Sequence, residues 1–187
     1  MHIRLAELDD LPAIVAISNL AAINTAANFA LEGEPIESWQ EEWNQTHEMY
    51  PYFVAIDDAN SVIGFAKSAP WKGRCAYTYS AEVTVYVHWD HHGQGIAKAL
   101  YDRLVPTLKA QGYHTLLAGI TQPNEASVRL HESFGFKRVA LFERVGWKFD
   151  RWHDVGYWEL LLQEEIARPS PVIAVREAAS GVELGAG

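Results

Sequence analysis

"VTVYVHWDHHGQGIAKAL", Val83 to Leu100, is the stretch whose reading decides the fold. Alternating branched and aromatic residues up to Val87 describe a strand, Gly93 and Gly95 punctuate a turn, and an apolar-periodic run then describes a helix. A strand that passes through a glycine turn into a helix leaves amide N–H groups free at the positive end of that helix, a ready place for phosphate. A dinucleotide-binding turn would read G-x-G-x-x-G, but Gly93-Gln94-Gly95 is followed by Ile96, Ala97 and Lys98, so the third glycine is missing. A Walker loop would need Gly-Lys-Ser or Gly-Lys-Thr, also absent. From the turn alone, glycines that merely permit positive φ remain an open alternative.

Working outward, "CAYTYSAEVTVYVH" reads as one long strand with Tyr77, Tyr79, Val83, Val85 and Val87 on one parity and Thr84 and Tyr86 on the other. Before it, "YFVAI" and "SVIGFAKSA" form a hairpin around the turn residues "DDAN". The chain opens with a short strand and a helix capped by Asp9 or Asp10, with Pro12 in its first turn and Leu11, Ile14, Val15 and Ser18 facing the core. A second helix, "IESWQEEWNQTHEMY", carries the stripe Ile36, Trp39 and Trp43, a packing pattern. After the glycine turn come a helix from about Gly95 to Gln111, closed by Gly112 and bent at Pro106, then the strand "HTLLAGI" and the short helix "NEASVRLHESFG". The strands "FKRVALFERVGWKF" and "HDVGYWELLL" complete a domain of residues 1–163. Residues 164–187, proline- and glycine-bearing without a clear period from Arg168, are expected to be a flexible or dimer-contacting tail.

With 187 residues, 49% hydrophobic and 21% charged, the composition is that of a single soluble α/β domain. Fifteen basic against 24 acidic residues, a net charge of −9, argues against nucleic acid as a partner. No apolar run reaches the roughly 18 residues of a membrane span. Glu7, Asp9 and Asp10 precede any signal-like region, so a cytoplasmic location and no membrane partner are expected. Cys75, the sole cysteine, excludes an internal disulfide and reads as buried filler. The eight histidines fall at no metal-ligand spacing, and no metal is expected.

"HHGQGIA" resembles the Q/R-x-x-G-x-G/A pyrophosphate signature of the GNAT acyltransferase superfamily, with His92 at the first position, where Gln or Arg is usual, and Gly95 and Ala97 at the fourth and sixth. The resemblance implies an α/β (α+β) acyl-CoA N-acyltransferase fold. Its mixed central sheet is splayed at the acetyl-CoA site and has helices on both faces. The backbone of Val85, Tyr86 and Val87 would meet the pantetheine arm, and the amides of Gly93, Gln94, Gly95, Ile96, Ala97 and Lys98 would meet the pyrophosphate. "NEASVRLHESFGF" resembles the closing motif of that superfamily, placing Asn124 on the pantetheine side and His131 where many members carry Tyr. More narrowly, "NFALEGEP", "APWKGRCAYTYSAEVTVYV" and "GWKFDRWHDVGYWEL" resemble phosphinothricin and methionine sulfone/sulfoximine N-acetyltransferases, over about residues 2–162. That implies acetyl-CoA as co-substrate, a small amino-acid-like acceptor and a homodimer.

Acetyl transfer to an amine needs a base, because an ammonium is mostly protonated near neutral pH. Glu82 interrupts an otherwise uncharged strand just before the glycine turn. Taken by itself it reads first as a solvent-facing strand-edge carboxylate, since single exposed glutamates are common; the resemblance assigns it as general base. Backbone N–H near Val85 suits the oxyanion. His131 is a candidate proton donor or substrate-holding group, with a local hydrogen bond as the other reading, and Tyr86 and Tyr101 are further donors or core aromatics. Lys72 and Arg74 in "WKGR" suit a carboxylate or a phosphinate, sulfone or sulfoximine oxygen, with a solvated loop as the alternative. The resemblance places Phe29 against the acceptor, and Tyr77 supplies a hydroxyl. His153 and Asp154 project from opposite faces of a strand and read as structural. The competing functions are acylation of another amine, such as a different amino acid, a polyamine or a protein N-terminus, and a non-catalytic acyl-CoA-binding module.

Overall fold

The computed structural model describes residues 1–163 and 168–181. The period-2 segments become strands β1 (His2–Leu5), β2 (Tyr52–Ile56), β3 (Val62–Pro70), β4 (Ser80–Val87), β5 (Thr115–Gln122), β6 (Lys137–Lys148) and β7 (Arg151–Leu161). They form one seven-stranded sheet in the order β1-β2-β3-β4-β5-β7-β6. All neighbours are antiparallel except β4 and β5, which are parallel. The helices are α1 (Leu11–Asn24), α2 (Ile36–Thr46), α3 (Ile96–Gln111), α4 (Glu125–Ser133) and α5 (Val175–Gly181). Among the described residues, no helix is long and apolar enough to cross a membrane.

The continuous apolar run of β2 reflects burial on both faces. Phe53 and Ala55 pack with Leu100, Tyr101, Leu104 and Leu108 of α3, whereas Tyr52, Val54 and Ile56 pack with Leu11, Ile14 and the Trp39 and Trp43 stripe of α1 and α2. The tryptophan stripe is therefore core. The same parity runs through β4: Ala81, Val83 and Val85 face α3, and Tyr86 faces α1 and α2. Glu82, four residues before Tyr86, shares the α1/α2 face.

Three local expectations are corrected. Asp10 does not cap α1 through its side chain; its carboxylate instead binds Arg4 at 2.6 and 2.8 Å and the Glu7 amide at 2.7 Å, a stronger set of partners than one helix amide. The strand expected from Cys75 begins only at Ser80, because Cys75–Tyr77 form a 3₁₀ turn on an exposed loop, and Cys75 is exposed rather than buried. The described part of the expected tail docks on its own chain. Val175 and Ala178 are buried, the Val175 amide donates to Glu48 O at 2.8 Å, and the Gln111 side chain bridges the carbonyls of Met49 and Ile173. Residues 164–167 and 182–187 of that segment lie outside the described residues.

Candidate active site

β4 and β5 pair only at Ser80–Thr115, Ala81–Leu116 and Glu82–Leu117, although β4 continues to Val87 and β5 to Gln122. Each strand keeps its outer partner, β3 or β7, so the sheet opens from Glu82 onward. A cavity of about 590 Å³ fills the opening, lined by Val83 to His88, Gly119 to Thr121, the start of α3, and Asn124 and His131. The His88 amide donates to Ile63 O in β3. By the alternation of an antiparallel ladder, the backbone groups of Val83, Val85 and Val87 then point into the gap.

At the far end of β4, Gly93 and Gly95 both adopt φ +76°. This is the left-handed region that favours glycine and delivers the chain into α3. The amides of Ile96, Ala97 and Lys98 form the first turn, which has no intrahelical acceptor. His92 folds back so that its Nε2 lies 2.9 Å from Val87 O, occupying a carbonyl on the gap side of the strand. Lys98 pairs with Asp102 at 2.8 Å and lines the cavity, as does Asn124, whose Oδ1 caps α4 by accepting from the Ser127 amide at 3.1 Å.

The structure gives His131 a definite set of partners. Nδ1 lies 2.8 Å from Ser127 O and Nε2 lies 2.9 Å from the Tyr101 hydroxyl. A carbonyl only accepts, so Nδ1 carries the proton and the Tyr101 hydroxyl donates to Nε2. Burial lowers the pKa of the imidazole, against the opposing Ser127 bond, and favours the neutral ring. In this geometry the N–H of His131 serves Ser127 rather than a leaving thiolate, which is the local-hydrogen-bond reading.

Glu82 stands at the last paired position before the opening. It is partly buried, and among the described residues no protein hydrogen bond reaches its carboxylate. Burial raises its pKa, opposed by the charges of Lys72 and Lys67. Tyr157 is beside it: burial and then the Glu82 charge raise the phenol's pKa, and its ring contacts Trp71 at 5.3 Å and Phe142 at 5.6 Å. Tyr157, Phe142, Gly146 and Phe29 line a second cavity of about 540 Å³. Glu82, Lys72 and Phe29 are thus brought to one side through Tyr157, a residue the alternation of β7 marks only as facing away from Trp158. Lys72 has φ 108° and lies 4.6 Å over the Trp71 ring. Arg74 and Tyr77 are exposed on the same loop and line neither cavity, because the 3₁₀ turn carries them outward. His153 and Asp154 are structural: His153 donates to Lys148 O, and Asp154 accepts the Arg144 amide at a bulge.

Residues 3–156 match the model of the acetyltransferase (GNAT) domain. The chain belongs to this GNAT acetyltransferase family. It is an acetyl-CoA-dependent acetyltransferase. It is 35% identical to a phosphinothricin N-acetyltransferase of Streptomyces viridochromogenes, over 94% of this chain and 93% of that one. It is also 35% identical to an L-methionine sulfoximine/L-methionine sulfone acetyltransferase of Salmonella typhimurium, over 89% and 98%. Among solved structures, a phosphinothricin acetyltransferase of Sinorhizobium meliloti in complex with acetyl-CoA superposes with a TM-score of 0.86 at 30% identity, covering 92% of this chain and 94% of that one. The glycine turn of this GNAT chain fits the co-substrate: a Cβ built at Gly93 or Gly95 would meet no protein atom within 4 Å, so the bare backbone there faces open space in which a phosphate can approach.

Proposed function

We propose that this chain transfers the acetyl group of acetyl-CoA directly to the α-amino group of a small amino-acid-like acceptor, of the phosphinothricin, methionine sulfone or methionine sulfoximine kind. The observation that carries the reading is Glu82: a partly buried carboxylate without a protein hydrogen bond, at the position where β4 and β5 part. Glu82 takes a proton from the acceptor ammonium, and the freed amine attacks the thioester carbonyl carbon. The Val85 amide meets the charge developing on the carbonyl oxygen. The new C–N bond replaces the C–S bond, and the second proton that the nitrogen sheds as the amide forms goes to sulfur, so CoA leaves as its thiol. The acceptor enters from the α1/α2 face, where Lys72 supplies a cation for its carboxylate or dipolar oxygens and Phe29 and Tyr157 wall the cavity. The names of the relatives support the acceptor class.

CoA release should be measured with phosphinothricin, methionine sulfone, methionine sulfoximine, polyamines and a peptide N-terminus in parallel. Saturable turnover confined to the first three is expected; turnover on polyamine or peptide alone would replace the acceptor class while keeping the fold.

The same reading includes a homodimer. Val139, Leu141, Phe142, Val145 and Trp147 of the edge strand β6, with Trp152 of β7, are each at least 40% exposed, and Phe142, Val145 and Trp147 line the second cavity. Light scattering after size exclusion is expected to give twice the chain mass. The double variant Trp147→Glu/Trp152→Glu should give the monomer mass, and a parent that is already monomeric would remove the dimer from the proposal.

A further inference from the structure

We propose that Lys148 is a positioning residue for acceptor binding, its ammonium tying the segment that carries Phe29 to the β6–β7 hairpin; this rests on the acceptor reading above. Lys148 is the last residue of β6 and only 4% exposed. Its Nζ donates to the carbonyls of Asn28 at 2.7 Å, Ala30 at 2.6 Å, and Ala22. Three acceptors use all three N–H bonds of an ammonium, whereas a neutral amine offers two. Among the described residues no carboxylate forms an ion pair with it, so a cation taken out of water is compensated by these carbonyls and by the Phe149 ring, whose centroid lies 5.2 Å from Nζ. Burial pushes its pKa down.

The location of those carbonyls carries the inference. Asn28 and Ala30 flank Phe29, and Ala22 lies in the last turns of α1. The Phe29 ring meets His153 at 5.9 Å and lies so close to Gly146 that a Cβ there would stand 2.5 Å from it. His153 in turn donates to the Lys148 carbonyl at 2.9 Å, so side chain and backbone of one residue hold both the loop and the seat of the ring. At the other end of the loop, the Tyr86 hydroxyl donates to Ala27 O at 3.1 Å. The segment therefore spans from β4, which carries the base, to the hairpin that walls the second cavity. Without the ammonium, Phe29 loses the bonds that set the backbone on either side of it.

The test is steady-state kinetics of the full chain with whichever of the three named acceptors turns over. It is combined with hydrogen–deuterium exchange over residues 22–31. Lys148→Met is expected to raise the acceptor KM roughly 3- to 10-fold, the size of one or two lost hydrogen bonds, with the acetyl-CoA KM within about twofold. Exchange over 22–31 should rise. Lys148→Met combined with Phe29→Ala should raise the acceptor KM by less than the product of the single effects, since both act through one ring. Should Lys148→Met not fold, Lys148→Arg keeps the charge but its planar fork cannot converge on three carbonyls, and it is expected to move the acceptor KM the same way. Equal rises in both KM values, a fully multiplicative double variant, or unchanged exchange would overturn the proposal. If the parent turns over none of the acceptors, the functional reading fails, and exchange alone then decides whether Lys148 holds the segment.

Discussion

Glu82→Gln is expected to cost roughly 10² to 10⁴ in kcat/KM at neutral pH. Glutamine keeps the shape and polarity of the side chain, but its amide cannot take a proton, so the loss isolates the base. The pH profiles of the two proteins separate this from a binding defect. In the parent, burial raises the Glu82 pKa, and Lys72 and Lys67 only partly oppose it, so the acid limb of kcat/KM should lie above the ordinary carboxylate range. The glutamine variant should lack that limb and gain activity toward alkaline pH, where the amine sheds its proton unaided, so the two profiles converge. Stability should move the other way. A carboxylate whose pKa is raised on folding contributes stability below its unfolded pKa and loses that contribution as pH rises through the folded value. At neutral pH the parent bears the cost of a buried charge that glutamine avoids, so Glu82→Gln should melt no lower than the parent, an expected trade of stability for activity. A constant activity ratio across pH would point to a role in positioning, and intact turnover would remove Glu82 from the chemistry.

The parts of this site visible in sequence are those with local causes. Gly93 and Gly95 are legible because only a left-handed turn requires two glycines between a strand and a helix, and Glu82 because a lone acid interrupts an apolar alternation. What escapes the sequence depends on contacts far along the chain. Lys148 reads as one more alternating residue of a strand, yet its meaning comes from carbonyls more than a hundred residues earlier. Tyr157 becomes part of the wall of the second cavity only because β7 pairs with β5 at Gly119, opposite the gap. The turn between β6 and β7 is read from the sequence between Phe149 and His153 but is tighter in the structure, where Phe149 and Asp150 alone join the strands, both at positive φ and without the Asn-Gly signal that normally announces such a turn. The α5 segment shows no clear period because its docking uses few apolar residues, Val175 and Ala178, while the Gln111 side chain holds Ile173, shortly before the helix, by its carbonyl.

Gly95 serves two physical requirements, and two substitutions separate them. The first is conformation: φ +76° is costly for a β-branched residue, so Gly95→Val should lose about 1 to 3 kcal/mol of stability and disturb the entry to α3. The second is space. A Cβ at Gly95 would touch no protein atom, so packing within the chain does not account for the glycine, whereas a phosphate resting on the amides of Ile96 to Lys98 would meet that Cβ directly. Gly95→Asn tests the second requirement alone, because asparagine tolerates the left-handed region better than other side chains. Gly95→Val is expected to raise the acetyl-CoA KM roughly 10- to 100-fold, the scale of one lost hydrogen bond to a charged oxygen. Gly95→Asn should give a similar rise with a melting temperature close to that of the parent, and the acceptor KM should stay within about twofold in both. If asparagine restored acetyl-CoA binding, the turn would matter for its shape alone, and the phosphate contact would have to lie elsewhere along the start of α3. If binding fails in both variants while only valine destabilises the fold, the open space above Gly95 is the part of the turn that the co-substrate occupies.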